Sequence, residues 1–258
     1  MLVDAHCHLN MYQYRRFGYY IGQVLERIRR SRILTITNSI DLASYRANVK
    51  IADSGPVVYK SFGIHPWNAH RYHYKLEEIA PVIDENRIIG EIGLDYHWVK
   101  DRGRYEAQRR VFQFFLKRCA EKPISVHTKG AENDCLDLLN EYGCEKVLIH
   151  WYSGGMETLD SMVDSGFFFT VGPQISISDH IERIARRIPL GRLLTETDNP
   201  EGVEWLFGRT GTPEDIKGVL KRLSEVKGRS LTQMENIVQN NSIKFFGLDK
   251  IDTDRVSI

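Results

Sequence analysis

The sequence predicts a single α/β domain folded as a (β/α)8 barrel (TIM barrel), and three observations support this fold class. The chain has 258 residues, 42% apolar and 27% charged, which suits one large domain with a substantial core. Eight β-rich segments alternate with helical segments. The first strand is not followed by the glycine-rich phosphate turn that is usual in the alternative fold, a doubly wound open sheet. No repeat or Pro/Ser-rich linker interrupts the pattern, so residues 1–258 are expected to form one domain.

The eight predicted strands are rich in Ile, Val, Thr and Phe and are bounded by Gly, Pro or polar turns. The helical segments repeat apolar residues every three or four positions, as Phe112, Phe115 and Leu116 do. In chain order the predicted strands are 2–9, 32–39, 58–65, 87–95, 123–129, 146–153, 167–173 and 192–200. The predicted helices are 20–31, 41–53, 76–85, 105–121, 131–142, 156–165, 178–187, 213–227 and 231–246. The segment that follows the last strand, 201–216, is expected to be a loop.

Composition excludes some function classes and leaves others open. The net charge of +1, from 35 basic and 34 acidic residues, neither requires nor excludes a nucleic-acid partner. Three basic clusters, at 26–32, 104–110 and 183–188, fall in predicted helices and are expected to be solvated helix faces. The chain has no apolar run long enough to span a membrane, no signal-like N-terminus and no CxxC pair among its four cysteines. A reduced, cytoplasmic protein without a membrane partner is therefore expected.

Ionisable residues cluster toward the C-terminal ends of the predicted strands. In a parallel barrel these ends meet at one mouth, where active sites are built. Burying ionisable groups is unfavourable by several kcal/mol unless they are paired or bind a metal. Any one of them has a structural alternative, such as a turn cap for the aspartate before "NP". Together they predict a metal site, whose residues are His6, His8, His65, Glu91, His127, His150 and Asp198.

The side-chain chemistry narrows the choice of metal. His6 and His8 are predicted to share one face of the first strand, whereas Cys7 points to the opposite face and is excluded as a ligand. Imidazoles and carboxylates without thiolates suit Zn, Mn, Fe or Ni and, with added water, Mg. Glu91, between glycines in "GEIG", has room for the close approach of another group. Its carboxylate can bridge two ions about 3.5–4 Å apart.

Six segments of the chain resemble the TatD family of metal-dependent deoxyribonucleases in order and spacing. They are "DAHCHL", "GIHPW", "GEIGLDY", "VHTKGA", "VLIHWYSGG" and "LLTETDNP", and the resemblance extends from residue 2 to "NSIKFFGL" at 241–248. It implies an amidohydrolase-like (β/α)8 barrel with two divalent metal ions (Zn, Mg or Mn) that hydrolyses DNA phosphodiesters, often as a 3′ exonuclease.

The resemblance also implies roles for individual residues. His6, His8, Glu91 and Asp198 match the ligands of one metal, and Glu91, His127 and His150 match those of the second. Asp198 is expected to orient or deprotonate the attacking water, with Glu91 as the other catalytic residue. His65 and Lys129 are expected to contact the phosphate, and Glu196 is a candidate supporting residue behind the ligands.

Departures from the family pattern put the substrate in question. The chain has "HWYSG" where relatives often have "HCFSG", "ETDNPEG" for "ETDAPYL", and Lys129 where arginine is common. Aromatic residues that can stack on single-stranded DNA ends are Trp67, Tyr96, His97, Trp98, Trp151 and Tyr152. Two alternatives stay open: a hydrolase of a small phosphoester, amide or lactone on the same site, and a non-catalytic scaffold in a larger assembly.

Overall fold

The structure, a computed structural model, describes residues 1–54 and 57–248. The described residues form eight strands, which are β1 Leu2–Cys7, β2 Ile33–Thr37, β3 Val58–Lys60, β4 Ile89–Gly93, β5 Ile124–His127, β6 Val147–Ile149, β7 Phe168–Val171 and β8 Leu193–Thr195. They pair in parallel, in the orders β1-β2-β3 and β4-β5-β6-β7-β8. A bridge between Phe62 and Ile89 joins the two sheets, and the Thr195 hydroxyl donates to the Val3 carbonyl at 2.6 Å, which closes β8 onto β1. The predicted barrel is confirmed.

The described residues form ten α-helices, and most of them bury apolar side chains against the barrel or its outer layer. Side-chain caps begin several of them: Ser178 accepts from the Ile181 N–H and Ser230 from the Gln233 N–H. The helices are α1 Ile21–Ser31, α2 Leu42–Ser54, α3 Leu76–Glu85, α4 Tyr105–Cys119, α5 Glu132–Glu141, α6 Met156–Asp164, α7 Asp179–Arg187, α8 Glu201–Phe207, α9 Ile216–Val226 and α10 Leu231–Phe246. Within the described residues, no helix is long and apolar enough to cross a membrane.

The predicted strands were too long at their C-terminal ends. His8, His150 and Asp198 follow β1, β6 and β8 rather than lying within them. His65 begins a short 3₁₀ helix, Pro66–Arg71, five residues after β3 ends. These segments are largely buried like strands, but their backbones leave the ladder to turn over the barrel mouth.

The segment predicted as a loop after the last strand begins with helix α8. Glu201 and Glu204 lie in the first turn of this helix, where acidic side chains interact favourably with the helix dipole. Gly208, with φ 68°, ends it in the left-handed conformation that glycine adopts readily. The helix has seven residues, too few for its apolar period to stand out from the sequence.

Two basic clusters behave as predicted. Glu26 pairs with Arg29 and Arg30 on α1, and Arg186 pairs with Glu182 on α7. In the third cluster, at 104–110, Arg104 and Arg109 are paired, but Arg110 has no acidic partner among the described residues. That the whole of residues 1–258 forms one domain stays a prediction, because residues 55–56 and 249–258 lie outside the described part.

We expect Phe115→Ala to lower the free energy of unfolding by about 3–5 kcal/mol, because truncation leaves a cavity in a close-packed core. Phe115 is fully buried, and its ring lies 5.8 Å from that of Phe62. The control is Phe114→Ala: this neighbour is partly buried, under the Arg118 guanidinium at 5.1 Å. We expect Phe114→Ala to lower the free energy of unfolding by only about 1 kcal/mol. Urea unfolding gives the free energy of unfolding of both variants. Equal decreases for Phe115→Ala and Phe114→Ala would contradict this account of the core.

Candidate metal centre

The barrel mouth brings the predicted site residues together around one carboxylate, that of Glu91. This side chain projects from the middle of β4 and is 2% exposed. Its neighbours come from four other strand ends and from the 3₁₀ helix after β3. The predicted room beside "GEIG" is taken by β5: a Cβ on Gly93 would lie 2.0 Å from the His127 carbonyl oxygen. Glycine therefore lets β4 and β5 approach closely here.

The two oxygens of Glu91 face two different groups of histidines. Oε2 lies 3.3 Å from Nε2 of His6 and 3.4 Å from Nε2 of His8. Oε1 lies 2.9 Å from Nδ1 of His127 and 2.9 Å from Nε2 of His150. Nε2 of His65 joins the second group, 3.2 Å from the same oxygen. One carboxylate is thus shared between two nitrogen-rich clusters.

Asp198 completes the first cluster and faces the cavity. Its Oδ1 lies 3.2 Å from Nε2 of His8 and 3.7 Å from Nε2 of His6, and the side chain is 23% exposed. Its φ of 51° is left-handed, a conformation unfavourable by about 1–3 kcal/mol for a non-glycine residue and concentrated at functional sites. Gly202 packs beneath it, because a Cβ there would lie 2.7 Å from the Thr197 carbonyl and 3.0 Å from Asp198 Cβ.

Four of the five histidines around Glu91, namely His6, His8, His127 and His150, are held through the ring nitrogen that faces away from it. Such outer contacts fix ring orientation in metal sites. His8 Nδ1 donates to the Asn38 carbonyl at 3.0 Å, which leaves Nε2 as the nitrogen facing the carboxylates. The other contacts are His6 Nδ1 with Ser125 Oγ at 2.9 Å, His127 Nε2 with Asp95 Oδ2 at 3.0 Å, and His150 Nδ1 with Glu196 Oε2 at 3.3 Å.

Asp95, which contacts His127, was not among the residues predicted from the sequence. Its Oδ2 also accepts from the Trp67 indole N–H at 2.7 Å, and its Oδ1 accepts from the backbone N–H of Trp98 at 2.7 Å. The signal was present in "GEIGLDY", where a buried carboxylate follows a strand end. Asp95 therefore connects the second cluster to the wall of the cavity.

The electrostatics of the centre are dominated by burial and by the mixture of carboxylates and imidazoles. Burial alone would raise the pKa of Glu91, but the neighbouring His65, His150 and His6 outweigh it and lower that pKa well below its ordinary value. Burial lowers the pKa of His6 and of His65. For His8, hydrogen bonds to Asp198 and Glu91 overcome burial and raise the pKa. The carboxylates are therefore ionised, His6 and His65 favour the neutral imidazole, and His8 favours the protonated form.

The donor set fits a divalent metal ion. Nε2 of His6 is buried, and no hydrogen-bond partner for it exists among the described residues, although it faces two carboxylates. Buried polar atoms are nearly always satisfied, so such an exception indicates a missing ligand. Three groups of donor atoms lie close enough to hold an ion: His6, His150 and Glu196; His6, His8 and Asp198; and His65, Glu91 and His127. None includes a thiol; Cys7 Sγ instead contacts the Ile36 carbonyl at 3.5 Å.

A cavity of about 500 Å³ opens above these clusters. All four tryptophans of the chain line it, namely Trp67, Trp98, Trp151 and Trp205. Lys129 also lines it and donates to the Ser153 hydroxyl at 2.6 Å. Of the aromatic residues predicted at the mouth, Tyr96, His97 and Tyr152 do not line this cavity; Tyr96 stacks on Tyr105 instead, and Tyr152 is buried. Trp205, which does, was missed because its helix was predicted as a loop.

Comparison with known proteins identifies the family. The model of the TatD related DNase family matches residues 3–247. The chain belongs to the TatD family. The uncharacterized metal-dependent hydrolase YabD of Bacillus subtilis is 27% identical over 96% of this chain and 100% of its own. The human deoxyribonuclease TATDN3 is 26% identical over 95% of this chain and 94% of its own.

Solved TatD structures share the fold. The Escherichia coli TatD homologue YJJV superposes with a TM-score of 0.85 at 21% identity, over 96% of this chain and 98% of that one. A TatD family hydrolase from Entamoeba histolytica gives 0.80 at 21% identity, over 95% and 97%. Family membership and the buried His, Glu and Asp clusters together make this chain a metal-dependent hydrolase of the TatD family.

Proposed function

We propose that this protein is a deoxyribonuclease that hydrolyses DNA phosphodiester bonds, as a 3′ exonuclease, with two divalent metal ions. The observation that carries the proposal is the position of Glu91, whose two oxygens each face a separate group of histidines. Two-ion sites with a shared carboxylate suit the displacement of one phosphate oxygen by another. The name of the matching family and that of the human relative support DNA as the substrate.

The residues divide between the two ions according to the oxygen of Glu91 that they face. His6, His8 and Asp198, together with Glu91, would hold the first ion, and His127 and His150, together with Glu91, would hold the second. The nitrogen-rich set favours Zn or Mn over Mg. When bound, the ions supply positive charge that stabilises the phosphate oxygens and makes a nearby water more acidic.

The protein's own groups orient the reactants. Asp198 is the cluster carboxylate turned toward the cavity, and its pKa is lowered: burial raises it, but the hydrogen bond from His8 and the nearby histidines outweigh burial. It is thus ionised and can accept the proton of the attacking water as general base. His65 and Lys129 both line the cavity and can donate to the phosphate oxygens.

One observation favours the second candidate, hydrolysis of a small phosphoester, amide or lactone. Glu201 and Glu204 line the cavity on the α8 side, and Arg16, the cation beside them, pairs with Glu201. A negative rim on this side repels a long polyanion but accommodates a small substrate.

The decisive experiment is digestion of end-labelled single-stranded DNA by the protein after chelation, with Mg²⁺, Mn²⁺ or Zn²⁺ restored one at a time. We expect stepwise shortening from the 3′ end that requires a metal. The Asp198→Asn variant should not shorten the DNA, and this control excludes a contaminating nuclease. Metal-loaded protein that leaves DNA intact but turns over a small phosphoester, amide or lactone would establish the second candidate.

Glu196→Gln is expected to weaken metal binding about 10–100-fold without unfolding the protein. Glu196 Oε2 lies 3.3 Å from His150 Nδ1, and its Oε1 accepts from the Trp151 N–H at 2.9 Å. The substitution removes the charge that orients His150 but can keep the backbone contact. Metal titration followed by calorimetry measures the effect. Glu141→Gln, at an exposed acidic residue that ends helix α5, is the control, and equal affinities for the two variants would refute this role.

A further inference from the structure

The cavity above the metal centre is the first of three that adjoin one another. A second, of about 480 Å³, shares Trp67 and Trp98 with it as walls. A third, of about 490 Å³, shares Asp101 and Arg104 with the second and reaches Arg110 on helix α4. The cavities therefore form a continuous series that leads from the metal centre along the N-terminal end of α4.

Unpaired cations line the two outer cavities. Lys100 and Arg110 are exposed, and no carboxylate of the described residues lies within hydrogen-bonding or ion-pairing distance of either. Arg104 is held by Asp101 at 3.4 Å, and Glu106 is the other acidic residue of these walls. In the basic clusters on α1 and α7, by contrast, Arg29, Arg30, Arg186 and Arg187 are paired with acidic partners, and Arg183 is an exception among the described residues. Arg104 and Arg110 line the third cavity of the series that leads to the metal centre, which a helix face that is only solvated does not require.

Exposed aromatic rings alternate with these cations. Trp67 is 48% exposed, Trp98 49% and Tyr74 81%. The two tryptophans are fixed to the metal centre, because Asp95, which contacts His127, accepts hydrogen bonds from the Trp67 indole and the Trp98 backbone. Exposed aromatic rings interspersed with cations are typical of surfaces that bind single-stranded nucleic acids.

We propose that this series, the basic groove (Trp67, Trp98, Tyr74, Lys100, Arg104 and Arg110), binds the part of a single-stranded DNA that extends beyond the bond being cleaved. The inference rests on the proposed deoxyribonuclease function and adds the path of the strand. Bases stack on the aromatic rings, while the cations bind the phosphates. The strand leaves the cavity on this side because Glu201 and Glu204 line the α8 side.

The test separates binding of the strand from chemistry at its end. The triple variant Lys100→Gln, Arg104→Gln, Arg110→Gln is compared with a control triple variant, Lys117→Gln, Arg183→Gln, Lys221→Gln, which removes exposed cations outside the groove. Fluorescence anisotropy measures binding of a labelled single-stranded oligonucleotide of about 12 nucleotides at several salt concentrations, in the presence of Ca²⁺ or without added metal. Turnover of a dinucleotide, too short to enter the groove, is measured in parallel.

We expect the groove variant to bind the oligonucleotide at least about tenfold more weakly, with a salt slope reduced by about 2. Dinucleotide turnover should stay unchanged, and the control variant should behave as wild type. Equal weakening in both triple variants, or no weakening in either, would overturn the groove. Salt-dependent binding through the groove without DNA cleavage would instead reject the proposed activity while retaining the groove, so the two failures are distinguishable.

Discussion

Asp198→Asn is expected to reduce DNA cleavage by about 10²–10⁴-fold, the usual contribution of a positioned general base. Asparagine has nearly the same shape and can still face His8, but it cannot accept the proton of water. It can also keep the left-handed backbone at this position, which asparagine adopts more readily than most residues. The loss should therefore lie in kcat, with the fold and the second metal cluster intact.

The measurement is kcat and KM on end-labelled single-stranded DNA, together with thermal unfolding of the same preparations. Glu204→Gln is the matched control, because it removes a carboxylate that lines the same cavity but lies outside the clusters. If Asp198→Asn retains most of the wild-type kcat, water activation depends on another group and this assignment fails.

Glu91→Gln is expected to abolish activity, a loss of at least about 10³-fold, and to remove both metal ions rather than one. The amide of glutamine offers one oxygen and one N–H₂ group, so one histidine cluster would face a donor instead of an acceptor. It also lacks the negative charge that the surrounding histidines stabilise in Glu91. Loss of a shared ligand is thus more severe than loss of Asp198, which serves the first cluster alone.

Elemental analysis after equilibration with Zn²⁺ or Mn²⁺ distinguishes the two variants. We expect two ions per chain in wild type, at least one in Asp198→Asn and none in Glu91→Gln. Glu91→Asp provides the conservative comparison, because it keeps the charge but is one methylene shorter and reaches only one cluster well. Two tightly bound ions in Glu91→Gln would show that this carboxylate does not bridge.

Much of the fold and of the site could be predicted because both depend on short-range pattern. Period-2 and period-3.6 apolar repeats predict which segments are strands and helices, and parallel strands send their C-terminal ends to one mouth. Polar residues near those ends, such as His6, Glu91 and His127, were therefore expected to meet, and the structure brings them together.

The prediction failed where the apolar period was too short, and it could not say which charged residues find partners distant in the chain. Helix α8, with Trp205, has seven residues and was predicted as a loop. The basic run at 104–110 resembles any solvated helix face in sequence. The role proposed for it depends on which arginines pair with carboxylates: Arg109 pairs with Asp134, whereas Arg110 pairs with none in the described part of the chain.

The sequence by itself determined the barrel, the family and the set of ionisable residues at its mouth, because local periodicity and motif order carry that information. Only the tertiary structure decided which nitrogen of each histidine faces which oxygen of Glu91. Those orientations depend on contacts between residues far apart in the chain, such as His6 with Ser125 and His150 with Glu196. Only the folded barrel also placed Asp95, Trp67 and Trp98 in one hydrogen-bonded unit, because close packing of separate strand ends selects those partners.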